Sequence, residues 1–506
     1  MDNYDVIIVG AGNSGLISAL TLLNDGYKVL LLDEHNNIGG FSREIRKGRF
    51  NFDLTFNKLY LKNNNNEPYM LRSLFKKLNI DKKIDFAQVS ELCHFITPDK
   101  NVVLPLGVEN YIEKIEELVP GSRSKLEEFF ELARECREAL NYVVTHKDNI
   151  DYDYIKEEYN NFMRVAGYSL SKVLDAIDVP LEAQEILDVL WIYWGSSEIE
   201  ISFVSYAVSL LNMLEYGLEV PSNNGYDISL TIANEFLEKG GELKLNSKVV
   251  KLLVEDGKVN GVKLLDGNIY YANKVIVNSN MWNVYGSLIE PSEIPREALK
   301  NMNKRELGGR LFTVNLALNR SASELGLNDY TYIIYHSLDS DLEFNRMKEI
   351  ANGNQISFVY NNANSSVSPA GTCLISLNTI FFDDCYTNYV TEDSLFGDDR
   401  EIAQRLIQVF QKYTKVKIAD YIEEIEIVSP ITNFTINDIQ SGSTYGYRLS
   451  GLDNYIPRLL NYKNERYIDG LYLCGGFDGD IFGYNSSFIS GYEVAMDVLK
   501  EIKGDK

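Results

Sequence analysis

Cysteine and histidine are scarce in this chain, and their spacing closes off several kinds of chemistry. Five cysteines occur in 506 residues (Cys93, Cys136, Cys373, Cys385 and Cys474), scattered, odd in number and without a CxxC pair. That argues against a disulfide framework and a zinc site, and it fits a reducing compartment. The four histidines (His35, His94, His146 and His336) show no HxxxH or HxxEH spacing, so no metal is assigned. No GxSxG elbow marks a serine nucleophile. Basic residues are in the minority, 49 Lys+Arg against 73 Asp+Glu, and the net charge of −24 repels nucleic acid and anionic bilayers. No apolar run reaches the ~18 residues that span a bilayer, and no basic segment precedes an apolar one in the manner of a secretory leader. The expectation is a cytoplasmic protein, with peripheral membrane contact left open.

What is present is a globular composition, 45% hydrophobic, in a chain long enough for two or three domains. Near its start, YDVIIVGAGNSGLISALTLLNDGYKVLLLD reads as strand, glycine turn, helix and strand. Val6 to Val9 form the first strand, and Leu16, Ala19, Leu20 and Leu23 share one helical face. Between them lies Gly10-Ala-Gly12-Asn13-Ser14-Gly15, a GxGxxG turn. Gly10 permits the tight turn, Gly12 lets backbone approach a pyrophosphate, and Gly15 lets the helix pack on the strand. The second strand ends at Asp33, 18 residues beyond Gly15, with Glu34 next to it. An acid at that spacing binds a ribose hydroxyl and repels a 2′-phosphate, so the expected ligand is NAD or FAD.

Beyond Asp33, DEHNNIGGFSRE resembles the acid-x5-GG signature of FAD-containing amine oxidases, protoporphyrinogen oxidases and phytoene desaturases. GRFNFDLTF resembles the segment that follows it in those proteins. The resemblance implies FAD, with Gly39, Gly40, Phe41 and Ser42 beside its ribityl chain and pyrophosphate. Phe41 stands where many members carry Arg, and Thr55 where many carry Gly. The block from Glu219 to Asn280 is similar to the desaturase pattern of helix, strand, hairpin and strand, and it implies that Val249 clamps the adenine through its backbone. Hairpin turns are expected at Asp256-Gly257 and Asp266-Gly267. Near the C-terminus, LYLCGGFDGDIFGYNSSFISGYEVA resembles the strand, turn and helix that face the flavin ring. Gly475, Gly476, Tyr484, Asn485 and Ser486 are thereby implied at the ring. Many members have an acid directly after the strand's glycine, where this chain has Gly476, so Asp478 or Asp480 is left to take its place. Asp480 and Tyr484, just ahead of the ring-facing helix, are the candidates to meet substrate or pass a proton.

The matching blocks, 1–75, 215–290 and 430–506, imply a discontinuous Rossmann-type FAD-binding domain of α/β class. Residues 76–214 and 291–429 are left for an α+β substrate domain, together an architecture of the glutathione-reductase and amine-oxidase kind. Within 76–214, Leu126, Phe129, Phe130, Ala133, Leu140 and Val143 predict an amphipathic core helix. The aromatic run WIYWG at 191–195 either lines a cavity or packs as core. The functional expectation is an FAD-dependent oxidoreductase of the phytoene-desaturase and carotenoid-isomerase branch. It would exchange hydride at flavin N5 with an apolar, unsaturated small molecule, in desaturation, saturation or isomerisation. A flavin amine oxidase is the alternative, and a non-enzymatic carrier of the same fold, like the GDP-dissociation inhibitors, is a third reading.

Overall fold

The computed structural model describes residues 3–54, 58–61, 69–146, 149–348, 357–361, 368–382, 398–431, 444, 446–448, 466–475 and 484–504. Strand β1 (Val6–Val9) is wholly apolar, which requires cover on both faces and suits the interior of a parallel sheet. It pairs in parallel with β2 (Val29–Leu32) on one side and β13 (Val275–Val277) on the other. β9 (Glu242–Lys244) extends the sheet beyond β2, and β19 (Leu471–Leu473) extends it beyond β13, in the order β19-β13-β1-β2-β9. Segments from the start, middle and end of the chain thus share one five-stranded parallel sheet.

Helices α1 (Asn13–Asn24), α4 (Gly225–Glu238) and α6 (Tyr484–Lys503) cover one face of that sheet. Leu16, Leu20, Ile228, Ile232, Phe488 and Val498 meet in a common core there. Leu71, Phe75 and Ile84 join the same core, so the chain just past residue 75 still packs with this layer. The other face is covered by the antiparallel sheet β10 (Val249–Glu255), β11 (Lys258–Leu264) and β12 (Ile269–Tyr271), through Leu252 and Val262 against Ile7 and Leu30. At the β10–β11 hairpin Asp256 and Gly257 have φ of 52° and 73°, the paired positive values of the Asp-Gly turn read from sequence. Gly240, with φ of 88°, ends α4.

The second large sheet has seven strands. Its order is β18 (Ile422–Val428), β14 (Arg310–Leu318), β17 (Cys373–Phe381), β16 (Ser357–Asn361), β15 (Thr331–Ile334), β6 (Glu91–Ile96) and β7 (Asn101–Pro105). All neighbours are antiparallel except β15 and β6. β14 is buried along its whole length and alternates its faces. Phe312, Val314, Leu316 and Leu318 pack toward α5 (Asp398–Thr414), and Leu311 packs toward the opposite, helical layer. That layer includes α2 (Arg123–Thr145), whose Leu126, Phe129, Phe130 and Ala133 are fully buried as their spacing predicts, and α3 (Phe203–Tyr216). Two small sheets are also present among the described residues: β3 (Glu44–Lys47) with β4 (Phe50–Asp53), and β5 (Phe86–Val89) with β8 (Leu218–Pro221). Among the described residues no helix is long and apolar enough to cross a membrane.

Candidate functional site

The turn after β1 is shaped by contacts that leave no room for side chains. A Cβ on Gly15 would overlap the carbonyl oxygen of Gly10, so glycine is what lets α1 sit directly on the strand. At Gly12 a Cβ would lie 2.6 Å from the side-chain amide of Asn278, and Gly10 has φ of 98° with the Asn278 carbonyl oxygen 3.1 Å from its Cβ position. The cap of α1 is Gly12, and no side chain caps its N-terminus, so the first-turn N–H groups remain available to a ligand.

Asp33, at the end of β2, is 8% exposed and braces this turn. Its Oδ2 accepts the Ala11 amide at 2.7 Å, and its Oδ1 accepts the His35 amide at 2.9 Å with the His35 ring nitrogen at 3.0 Å. An ionised carboxylate offers about four acceptor positions, so Oδ2 retains capacity for a ligand hydroxyl. Glu34 is engaged with Lys248 at 2.8 Å. The second glycine pair lies on the first turn: the Gly39 amide donates to the Ala11 carbonyl at 2.8 Å, and a Cβ on Gly40 would stand 3.3 Å from the Cα of Gly12. A 3-10 turn over Gly40–Ser42 follows. Asn13 donates to Ser42 Oγ at 2.8 Å and accepts from Ser229 Oγ at 2.7 Å, which ties this turn to α4. Ser14 donates to the Ser487 carbonyl at 2.5 Å, which ties α1 to α6.

On the C-terminal side, Gly475 follows β19 with φ of 117°, and its Cβ position lies 2.6 Å from Asn278 Oδ1. Gly476, Asp478 and Asp480 fall outside the described residues. Tyr484 opens α6, and its hydroxyl donates to the Gly225 carbonyl at 3.0 Å. Burial pushes its phenol far above the usual range, partly offset by hydrogen bonding with Ser42 and Asn13. Asn485 is 4% exposed, and neither polar atom of its amide has a hydrogen-bond partner of ordinary geometry among the described residues, although the amide lies near enough to Tyr60 to act on its hydroxyl. Ser486 is buried, and its neighbour Ser487 is the one that reaches the cavity.

A cavity of about 730 Å³ connects these parts. Gly10, Gly12, Asn13, Ser14, Asp33, Glu34, Gly39, Gly40, Phe41, Ser42, Val249, Gly475, Tyr484 and Asn485 all line it; Gly15 and Ser486 do not. Beyond the glycine turns its wall becomes apolar and aromatic, with Leu54, Leu92, Tyr193, Trp194, Met213 and Leu311. The WIYWG run therefore divides. Trp191 is core, stacked on Tyr335 with ring centroids 5.8 Å apart, while Tyr193 and Trp194 reach the cavity. The Trp194 indole donates to Ser205 Oγ at 3.1 Å.

Three cavity residues escape the sequence reading. Asn278 wedges its amide between the two glycine turns. The signal was its position just past β13, since ligands gather at the carboxyl ends of parallel strands. Lys58 and Tyr60 come from the chain after β4, where no spacing marks them. Burial lowers the Lys58 amine to about 8 and raises the Tyr60 phenol.

A parallel sheet whose carboxyl edge opens on an uncapped helix N-terminus, a bracing acid and the buried Asn485 amide is a dinucleotide-binding arrangement, and these donor and acceptor groups fit a flavin dinucleotide. The chain belongs to the flavin-containing amine oxidoreductase family, whose profile matches residues 13–499. The chain spans less than two thirds of the length of several curated relatives that it matches, 61% of one and 52% of another. It is 24% identical over 330 residues to a 4,4′-diapophytoene desaturase (4,4′-diapolycopene-forming) of Methylomonas sp, covering 62% of this chain and 61% of that protein. An all-trans-retinol 13,14-reductase of Danio rerio is 24% identical over 524 residues, covering 95% of this chain and 85% of the reductase. Among solved structures, cyclohexylamine oxidase from Brevibacterium oxydans superposes with a TM-score of 0.65 at 14% identity, over 99% of this chain and 100% of that one.

Proposed function

We propose that the chain exchanges hydride with a carbon of an apolar, unsaturated substrate, in desaturation, saturation or double-bond isomerisation. The observation that carries this is the continuity of the cavity, from the glycine turns to the wall of Leu92, Tyr193, Trp194, Met213 and Leu311. A largely apolar wall favours a hydrocarbon chain over a polar one. The relatives point the same way: one is named for a diapophytoene, another for retinol. An amine substrate is protonated at neutral pH and would meet Lys58 in this cavity, which like charge disfavours.

When bound, FAD supplies hydride acceptance and delivery at its N5. In this reading Asp33 accepts the ribose hydroxyls, the N-terminus of α1 over Asn13, Ser14 and Gly15 holds the pyrophosphate, and Gly39 to Ser42 flank the ribityl chain. Glu34 and Val249 border the adenosine end. Gly475, Asn485 and Ser486, with the N-terminal amides of α6, orient and polarise the ring. Tyr484 serves as a wall of the cleft, since its phenol already donates to Gly225. Asp480 and Gly476 keep the ring-side roles that the resemblance implies. We assign 1–75, 215–290 and 430–506 to the cofactor domain and 76–214 and 291–429 to the substrate domain, with the first boundary moved to about residue 85 on the packing of Leu71 to Ile84. A reducing, cytoplasmic setting suits the cysteines, of which Cys93, Cys136, Cys373 and Cys474 are buried and form no disulfide among the described residues.

The test is product analysis after incubating the FAD-loaded protein with conjugated and partly saturated isoprenoid chains. A change in conjugation length or double-bond geometry supports the reading. Conversion of amines to aldehydes, with every polyene unchanged, contradicts it.

A further inference from the structure

Helix α3 turns one face toward the cavity, and on it Ser205, Ser209 and Met213 recur at every fourth position, so their side chains follow one another along the wall. A second face, with Phe203, Ala207, Leu210 and Leu214, is buried in the helical core. A wall for hydrocarbon alone would gain from alanine or leucine at 205 and 209, which are better helix formers than serine and carry no polar side-chain atom. Ser205 is 9% exposed, and its Oγ accepts the Trp194 indole N–H at 3.1 Å. That bond turns the Ser205 proton away from Trp194, and the proton finds no acceptor among the described residues. Ser209, one turn further and half-buried, makes no hydrogen bond among the described residues. Other polar groups on the wall are engaged: Thr313 donates to Asn378 at 2.7 Å, Thr444 accepts the Leu311 amide at 2.9 Å, and Lys58 donates to the Leu92 carbonyl at 3.5 Å.

Resting on the reading of an apolar unsaturated substrate, we propose that the substrate carries a hydroxyl or ether oxygen and that Ser205 and Ser209 bind it. Ser205, with its acceptor side turned to Trp194, donates its proton to that oxygen. Ser209 keeps both a donor and acceptor positions, so it donates to an ether and either donates to a hydroxyl or accepts from one. Residues four apart on a helix hold their Cβ atoms about 5–6 Å from each other, close enough for one ligand oxygen to lie between the two hydroxyls. A ligand without such an oxygen displaces water from both serines and returns no hydrogen bond, and each hydroxyl left dry costs affinity. The pair therefore selects, among apolar chains of one length, those that bear an oxygen where α3 lines the wall.

The test titrates the FAD-loaded protein with one conjugated polyene in three forms, the hydrocarbon, its terminal alcohol and the methyl ether of that alcohol. Binding is followed by the flavin spectrum and by quenching of tryptophan fluorescence. Each ligand is compared between the wild type and the double variant Ser205→Ala with Ser209→Ala, so that differences in the ligands' own solubility cancel. The double variant should bind the alcohol and the ether about ten-fold more weakly and the hydrocarbon no more weakly than the wild type does. Ser209→Ala alone, which breaks no hydrogen bond among the described residues, should weaken the alcohol by less. Retained FAD and a Tm no lower than the wild type's confirm that both variants are folded. An alcohol whose affinity the double substitution leaves unchanged overturns the proposal. Equal weakening of all three ligands overturns it too, since it shows that the serines only shape the wall. If none of the three compounds changes either signal in the wild type, the apolar-substrate reading itself falls.

Discussion

Asp33 braces the glycine turn with the same carboxylate that, in the proposed function, would meet the ribose. Its bonds to Ala11 and His35 keep the glycine turn closed, and its remaining acceptor capacity is what the ribose would use. Asp33→Ala should therefore weaken FAD binding by about ten- to a hundred-fold, from charge-assisted bonds of ~1.5–3 kcal/mol, and also lower the Tm of the apoprotein. Fluorescence titration with FAD checks the first and calorimetry the second; an unchanged Kd would remove Asp33 from the site. Glu198 makes a prediction of another kind. Burial, reinforced by the carboxylates of Asp339, Asp175, Glu185 and Asp341, pushes it up to about 7. The folded state then holds this proton more tightly than the unfolded one, so the group's contribution to stability is complete below about pH 4.5 and is lost as pH rises through 7. Glu198→Gln should match the wild-type Tm at about pH 5 and exceed it at about pH 8. A difference in Tm that does not vary with pH would contradict the assignment. Residues such as Asp33 are legible in sequence because a fixed spacing from a glycine turn marks them. Lys58 and Glu198 are not, because their chemistry arises from neighbours far along the chain.

At the scale of elements, the crossing of α1 and α6 joins the two ends of the chain. A Cβ on Gly491 would overlap the Ser14 carbonyl oxygen and stand 2.7 Å from the Ser14 Cα, and Ser18 donates to the Gly491 carbonyl at 2.7 Å. Alanine at 491 gains up to ~1 kcal/mol of helix propensity but forces apart two backbones, which costs ~1–3 kcal/mol or more. Gly491→Ala should lower the Tm and loosen FAD, whereas Gly286→Ala, where a Cβ meets nothing within 4 Å, should leave both unchanged. Equal Tm values for the two variants would show that the crossing tolerates a methyl group. The N-terminal glycine turn, and the strands and helices that flank it and the C-terminal glycine-rich stretch, could be read from the sequence, since their periodicity and punctuation are local. The seven-stranded sheet could not. β14, RLFTVNLAL, buries Thr313 and Asn315 among apolar residues, and they become tolerable through partners on other strands: Thr313 donates to Asn378 at 2.7 Å, Ser376 bonds Asn315, and Asn315 donates to the Asp53 carbonyl at 3.3 Å. That satisfaction comes from residues 61 to 262 positions away, which no window along β14 contains.

Across the whole molecule, three separated stretches build one parallel sheet, and a second sheet with its helical layer closes over the same cavity. Asn278 expresses that assembly in one side chain: it comes from the middle stretch, meets Gly12 from the first and Gly475 from the last, and is invisible to any reading of either turn alone. In the proposed function this arrangement lets FAD trade hydride with an unsaturated carbon of an apolar ligand in the cavity. The most direct measurement is anaerobic mixing of the protein with such a ligand while the visible flavin band is followed, starting once from oxidised and once from reduced cofactor. At least one of the two mixtures should change the redox state of the flavin within turnover time, with the matching change in ligand unsaturation. A flavin whose redox state no unsaturated apolar compound alters from either side, while simple amines bleach it readily, would overturn the proposed function and make this protein an amine oxidase.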